Sequence, residues 1–427
     1  MMELKTPKGT RDFPPEEKIL RDQLTNTLKK VFELYGFSPF ETPIMEHFEV
    51  LSSKYAGGAE ILKETFALQD QGKRDLGLRY DLTVPLARFV AMNPRMKMPF
   101  KRYHIGEVFR DGPVTFGRYR QFTQCDVDVV GAPSLKADAE MLALSSRVFK
   151  DLNLDATLKL NNRKLLNEVM ASCGIEENAD TAILIIDKLD KVGKEGVQNE
   201  LKEKGFTENA INKALGLITT QGTNQEKIER LQSALGESAG IKEVQEVLSY
   251  ADSMGIETVF DPSLARGLAY YTGTIMEGVL ESSKVKSSVM GGGRYDKMIG
   301  SLMGKADIAA VGISFGLDRL FDAMAEKKEK QKTVTQLLLI PIGTFSEVSK
   351  MAEQLRQEGI NVEVDLMERG PSKNLQYADS LQIPFVAFIG EEEQKQGKMK
   401  LKNMKTGKEM LCTIKETLTE ITHSFHK

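Results

Sequence analysis

The chain has 427 residues, with 58 Lys and Arg against 61 Asp and Glu, a formal net charge of −3, three cysteines and no tryptophan. That length exceeds one ordinary domain and predicts two or three, each able to bury its own core. With 41% hydrophobic and 28% charged residues the composition is globular, and its near-balanced charge excludes indiscriminate attraction to polyanions, so any nucleic-acid contact requires locally gathered basic residues.

The start, MMELKTPKGTRDFPPEE, carries no apolar stretch of the kind a secretory leader has, and no apolar run approaches the roughly 18 residues of a membrane span. A cytoplasmic location is therefore expected. Cys125, Cys173 and Cys412 are widely spaced and odd in number, which speaks against a disulfide framework or a structural zinc site. His47, His104, His423 and His426 have neither ligand-like nor triad spacing. From Lys18 to Tyr35 the apolar residues Ile19, Leu20, Leu24, Leu28, Val31, Phe32 and Leu34 recur at helical spacing, with Gly36 as a stop. FSPFETPIME then reads as extended, and RYDLTVPLARFVAMN opens a second apolar helix or a strand-to-helix turn. Two strand-like runs follow, Tyr103 to Arg110 and Arg118 to Val130, joined by a DGPVTFG hairpin loop.

From about residue 162 to 253 the pattern becomes helical and charged, and reads as an inserted helical domain, because strand-rich sequence resumes at TVFDPSLARGLAYYTGTIMEGVL. The stretch 326–334 has the composition of a linker. Beyond it, QLLLIPIG, SEVSKMAEQLRQEG, INVEVDL, PSKNLQYADSLQ and PFVAFIG alternate strand and helix, as a compact α/β domain does. Lys395, Lys398, Lys400, Lys402, Lys405 and Lys408 crowd one hairpin-like stretch in which Met399 and Leu401 alternate inward. Such a run suits either a solvated edge strand protected from pairing or phosphate contacts.

The hairpin is the most informative segment. A period of two places Arg118, Arg120, Phe122, Gln124, Asp126 and Asp128 on one face of the second strand. One reading is a solvated outer face; the other is a ligand surface, where guanidinium groups clamp phosphates, an aromatic ring stacks on a base and carboxylates hold a cationic group. Arg110 falls on the preceding strand directly before the loop. VGISFGLDRLFDAMA runs strand, glycine, helix, with Leu317, Leu320, Phe321 and Met324 as its buried stripe and Arg319 on the first turns. LARGLAYYTG sets Arg266 beside Tyr270 and Tyr271. In VMGGGRYDKM, Gly291, Gly292 and Gly293 suit either a plain turn or a close approach of backbone to ligand.

Together these segments resemble class II aminoacyl-tRNA synthetases, and within them the histidyl-tRNA synthetase family, over almost the whole chain. PKGTRDFPP resembles its N-terminal signature and GFSPFETPIME its dimer-forming first motif. FRDGPVTFGRYRQF resembles the second class motif and GLDR, residues 316–319, the third. RGLAYYTG and GGGRYD are similar to the two histidine-specific motifs.

The resemblance implies an α+β catalytic domain over 1–325, an antiparallel sheet flanked by helices and interrupted by a helical insertion at 162–253. A linker at 326–334 and an α/β anticodon-binding domain at 335–427 would follow. Implied ligands are L-histidine, ATP with Mg²⁺ and tRNA(His), handled by a homodimer. Arg110, Arg118 and Arg319 would hold ATP and Phe122 would stack on adenine. Arg266 would sit by the α-phosphate and the amino-acid carboxylate, making Arg266 and Arg110 the catalytic pair. Asp81, Thr83 and Gln124 would fix the substrate α-amino group. Asp128 and Tyr271, beside Tyr270, would pair the imidazole nitrogens. Lys398, Lys400 and Lys402 would touch tRNA, and the metal ligands stay unassigned. The family usually carries an acidic residue where this chain has Ala269, which would leave Arg266 without that partner. The rival implied by the same motifs is a catalytically silent, histidine-sensing regulatory paralogue tied to the ATP phosphoribosyltransferase of histidine biosynthesis. Such relatives lack the C-terminal domain and motif arginines that this chain keeps.

Overall fold

A computed structural model describes residues 3–53, 62–266, 270–281, 285, 288–304, 306–325 and 331–425. Ala269, His426 and residues 326–330 of the expected linker lie outside the described residues. The chain divides into two compact units, residues 1–12 with 23–327, and residues 13–22 with 328–427.

In the first unit the strands are β1 (Ser38–Pro39), β2 (Met45–His47), β3 (Ala67–Gln69), β4 (Asp75–Leu78), β5 (Phe100–Phe109), β6 (Gln121–Val130), β7 (Ala156–Asn162), β8 (Val259–Phe260), β9 (Thr274–Leu280), β10 (Met290–Arg294) and β11 (Ala310–Gly316). Eight of them form one sheet in the order β1-β5-β6-β11-β10-β9-β7-β8. The interior pairs are antiparallel, as expected, but the two-residue outer strands β1 and β8 pair in parallel, so the sheet is mixed. A separate three-stranded sheet, β2-β4-β3, was not legible in the sequence.

One helix spans Pro15–Leu34. Its later turns bury Leu24, Leu28, Val31 and Phe32, and Phe32 packs 5.6 Å from Tyr103 and 6.1 Å from Phe315 between ring centroids. RYDLTVPLARFVAMN resolves into a turn followed by the helix Thr83–Met92, whose Leu86, Ala87 and Val90 share a core with Tyr295, Met298 and Ile299. At roughly 1.5–3 kcal/mol for each large side chain removed from water, this cluster, which also takes in Val130 and Ala310, anchors the helix against the sheet.

Between Arg163 and Ser253 the helices are Arg163–Ser172, Ala179–Ile186, Leu189–Glu203, Glu208–Ile218, Asn224–Leu235 and Ala239–Ser253. The first of the two helices between residues 179 and 203 ends at Ile186, and the second is kinked at Gly193, where φ is 71°. Glu208–Ile218 is an additional helix, started by the Thr207 hydroxyl accepting from the amide of Ala210.

The second unit holds a five-stranded sheet, ordered β13-β12-β14-β15-β16, made of β12 (Leu337–Pro341), β13 (Val362–Val364), β14 (Phe385–Ile389), β15 (Lys398–Asn403) and β16 (Glu409–Thr413). Buried residues cover both of its faces. Met399 and Leu401 do point inward. The strand that carries Lys398, Lys400 and Lys402 is not an edge, however: β15 is paired on both sides, and β16 takes the edge. Lys400 and Lys402 pair with Glu409 at 2.9 and 3.1 Å.

Candidate active site

The registers of neighbouring strands build the site before any side chain is considered. Asp126 on β6 lies opposite Ser314 on β11, Ser314 opposite Gly291 on β10, Gly291 opposite Glu277 on β9, and Glu277 opposite Lys159 on β7. Because side chains alternate across a pleat, one such row fixes which residues share a face. A second row runs Arg102, Asp128, Gly312, Gly293. Over this face lies a cavity of about 920 Å³. It is lined by Asp81, Thr83, Arg110, Arg118, Phe122, Gln124, Asp128, Arg266, Tyr270, Tyr271 and Arg319, so every catalytic, ATP and histidine residue expected from the sequence reaches one chamber. The alternation expected over 118–128 is regular only from residue 121, where the strand begins, although Arg118 still reaches the chamber. Before it Tyr119 lines the cavity, while Arg120 pairs with Asp111 at 2.9 Å.

The glycines are strand residues, not a turn: Gly291, Gly292 and Gly293 are buried on β10. A Cβ at Gly291 would lie 1.7 Å from Arg266 Nη1, and one at Gly312 would lie 2.0 Å from Asp128 Oδ1. Each glycine thus leaves the room in which a charged side chain lies flat across the sheet. Arg266 occupies the left-handed region at φ 40°, an uncommon conformation for a residue with a Cβ and one found at ligand sites. Its Nη1 donates to Glu277 Oε1 at 3.3 Å. The missing acidic partner implied by Ala269 is therefore supplied by the next strand.

At one end of the chamber cations face one another. Arg110 donates through Nε to the Tyr80 carbonyl at 3.0 Å, and its Cζ sits 5.2 Å from the centroid of the Phe122 ring. Arg319 donates to the carbonyls of Gly117, at 3.3 Å, and Ser288, at 2.6 Å. Among the described residues neither guanidinium has a carboxylate within ion-pair distance. Burial first, and then Arg266 and Arg110, push the Arg319 pKa below its usual value. Such a concentration of unneutralised guanidinium groups is a site for a multiply charged anion. Arg118, nearer solvent, pairs with Glu64 at 3.1 Å.

Asp81, Asp126 and Asp128, acids of the chamber, are buried. Asp81 Oδ1 accepts the amides of Thr83 and Val84 at 3.2 and 3.0 Å, capping the helix Thr83–Met92, and burial raises its pKa to about 6. Asp128 is held on both oxygens: Oδ1 accepts the Tyr295 hydroxyl, and Oδ2 lies 2.7 Å from Arg102 Nη2, a fully buried guanidinium. Burial raises its pKa, and Arg102 and then Tyr295 oppose the rise. Asp126 is raised to about 7, chiefly by burial, with Asp128 adding to the shift and Arg102 opposing it. Gln124 donates through Nε2 to Ser314 at 2.9 Å, while its Oε1 is buried without a partner. Arg266 Nε is a buried donor in the same condition. Among the described residues the chamber thus presents orphan acceptors at Gln124 Oε1 and at Asp128 Oδ2, the latter within ion-pair distance of Arg102, and an orphan donor at Arg266 Nε; Gln124 Oε1 and Arg266 Nε complement an ammonium and a carboxylate.

Glu277, Tyr295, Gly312 and Arg102 escaped the sequence reading. Glu277 interrupts an otherwise apolar strand, TIMEGVL, and could have been found as its lone acid. Gly312, Tyr295 and Arg102 matter only through cross-strand register and packing, which no local pattern reports. His104 is a core residue: it is buried, and burial, with Arg102 and Arg79 nearby, lowers its pKa to about 3. All three cysteines are buried.

Comparison with known proteins agrees with this geometry. A family model for histidyl-tRNA synthetase matches residues 9–320, and one for an anticodon binding domain matches 336–423. "Histidine--tRNA ligase 1" of Bacillus cereus is 43% identical over 97% of this chain and 98% of its own length. "Histidine--tRNA ligase 2" of Shouchella clausii is 44% identical over 94% of this chain and 96% of its own. A histidyl-tRNA synthetase structure from Nostoc superposes with a TM-score of 0.87 at 32% identity, covering 99% of this chain and all of that one. A protein from Bacillus halodurans described as an ATP phosphoribosyltransferase regulatory subunit/histidyl-tRNA synthetase shares the fold, with a TM-score of 0.75 at 22% identity. Among the described residues no helix is long and apolar enough to cross a membrane. With matched models on either side of residue 330 and relatives above 40% identity along nearly its full length, the chain belongs to the histidyl-tRNA synthetase family.

Proposed function

We propose that the chain is a histidine–tRNA ligase, and that its chamber binds histidine at the acidic end and ATP at the arginine end. The observation that carries the reading is the pair of orphan groups: Gln124 Oε1 to accept from the α-ammonium and Arg266 Nε to donate to the carboxylate. Asp81 and Thr83 add to the ammonium site. Asp128 keeps acceptor capacity beyond Tyr295 and Arg102, since an ionised carboxylate has about four lone-pair sites. With Tyr271 on the other side, both imidazole nitrogens are paired. Tyr270, packed 4.8 Å from Tyr271 between ring centroids, backs that pocket.

In the first step the histidine carboxylate attacks the α-phosphorus, a new C–O–P linkage forms and the bond to pyrophosphate breaks. Arg266 bridges the two reactants, while Arg110, Arg118 and Arg319 hold the polyphosphate and Phe122 stacks on adenine. In the second step a terminal ribose hydroxyl of tRNA(His) attacks the carbonyl, with AMP leaving. No nucleophilic side chain is required. Mg²⁺ would enter with the triphosphate and neutralise the departing charge. Among the described residues no cluster of three or more His, Cys, Asp or Glu donors could hold a metal. A dication that keeps its waters and binds phosphate oxygens needs only one or two carboxylates, for which Glu277 faces the arginines.

With this reading go a homodimer, a cytoplasmic location, and domains at 1–325 with a 162–253 insertion and at 335–427 after the 326–334 linker. Lys398, Lys400 and Lys402 would contact tRNA, with Lys400 and Lys402 exchanging Glu409 for phosphate. The retained Arg110, Arg266 and Arg319 and the matched anticodon-binding region speak against the silent regulatory paralogue.

The test is calorimetric binding of histidine beside its two ring N-methyl derivatives. A site that pairs both nitrogens should bind each derivative at least about 100-fold more weakly, because a methyl removes a bond and leaves a buried group unpaired. Either derivative binding within tenfold of histidine would refute the two-nitrogen pocket.

A further inference from the structure

Arg11 lies 108 residues from Tyr119 in the chain and more than 300 from Asp318 and Asp322, yet it joins all three. Its Nη1 donates to the Tyr119 hydroxyl at 3.0 Å and to Asp322 Oδ1 at 3.2 Å, and its Nη2 donates to Asp318 Oδ1 at 2.8 Å. The guanidinium also stacks on Tyr119, with Cζ 3.9 Å from the ring centroid. Tyr119 closes the triangle by donating to Asp322 Oδ2 at 3.0 Å, and Asp318 Oδ2 accepts the Thr123 amide at 2.8 Å. Both acids are almost fully buried, with side chains 5% and 6% exposed.

Asp318 and Asp322 stand one turn apart on the helix Leu317–Ala325, and Arg319 projects from that same turn. Thr123 and Tyr119 flank Phe122. One planar fork therefore ties the helix bearing Arg319 to Tyr119, just before the strand bearing Phe122, holds Asp318 where it accepts the Thr123 amide of that strand, and neutralises two buried acids that would otherwise repel each other. Arg11 does not line the cavity, so it touches no substrate there and acts only through these neighbours.

We infer that Arg11 is a positioning residue for the nucleotide: it sets the spacing between Phe122 and Arg319, and through it the affinity for ATP. This rests on the reading that Phe122 and Arg319 hold ATP. A misplacement of about 1 Å at such a clamp is enough to cost roughly 100-fold in rate or affinity.

The experiment is ATP–pyrophosphate exchange on the full chain, with KM for ATP and for histidine determined separately and Tm recorded for each variant. Arg11→Ala should raise KM for ATP at least tenfold and leave KM for histidine within twofold. Arg11→Lys, which keeps the charge without the fork or the stack, should recover only part of the loss. A purely structural role would lower Tm without moving KM for ATP. Folded Arg11→Ala with KM for ATP within twofold, or with equal rises in both constants, would overturn the inference. Should that variant not fold, Asp322→Asn carries the test: a rise in KM for ATP of threefold or more supports the clamp, and a smaller one overturns it. Arg319→Ala separates the two levels. If it leaves KM for ATP unchanged, the reading of the arginine end fails; if only the Arg11 variants do so, only this inference fails.

Discussion

Replacing Gly312 by alanine tests the histidine pocket through a lining residue that has no side chain of its own. A Cβ at Gly312 would lie 2.0 Å from Asp128 Oδ1 and 2.9 Å from the Val127 carbonyl, against an ordinary contact of at least 3.4 Å, so the carboxylate has to withdraw by roughly 1.4 Å. It cannot do so freely, because Tyr295 and Arg102 hold its two oxygens. A hydrogen bond to a charged group contributes about 1.5–3 kcal/mol, so losing the imidazole bond predicts a roughly 10- to 150-fold rise in KM for histidine at about 1.4 kcal/mol per decade. KM for ATP should stay within twofold, since Phe122 and Arg319 are untouched. Overpacking should lower stability by about 1–3 kcal/mol, visible in Tm. ATP–pyrophosphate exchange with histidine varied at saturating ATP reads the first effect. Adding Gly312→Ala to an Asp128→Ala background should cause no further rise, because the carboxylate it displaces is gone. A folded Gly312→Ala enzyme with KM for histidine within twofold of the parent would refute the placement of Asp128.

Three further outcomes follow from the same geometry. Asp126 titrates near 7 in the fold and near 3.8 when free, so its ionisation destabilises the fold, not at all below the lower value and in full above the higher one. The Tm of Asp126→Asn relative to the parent should therefore rise with pH between about 4 and 7, and a difference independent of pH would contradict the buried acid. Glu277→Gln removes the charge that orients Arg266, and should reduce kcat for exchange about tenfold or more with Tm little changed; unaltered turnover would reject that role. Phe122→Ala should raise KM for ATP by roughly 5- to 150-fold, from about 1–3 kcal/mol of lost stacking, without changing KM for histidine.

How far the sequence reaches is best seen strand by strand. The face of β6 that carries Phe122, Gln124 and Asp128 was legible because a period of two needs no partner strand. The same rule failed at Arg120, which lies between the Thr115–Arg118 bridge and the start of β6 and pairs with Asp111. The α/β alternation of the second unit was legible from hydrophobic runs and glycines. The lysine stretch was placed on a hairpin, but whether its strand lay at the edge depended on β14, some ten residues earlier in the chain. GGG could be read as a turn or as a close approach, and only the position of Arg266 across the sheet shows what the missing Cβ of Gly291 makes room for. Arg102 and Tyr295 act on Asp128 through packing between distant segments. Histidine as the substrate came from resemblance, not from polarity or spacing.

The central claim is that this chamber activates histidine. ATP–pyrophosphate exchange run with each of the twenty amino acids, followed by charging of tRNA(His), tests it most directly. Exchange should depend on histidine alone, and label should then appear on the tRNA. No histidine-dependent exchange by folded protein, or exchange driven equally by another amino acid, would contradict the account.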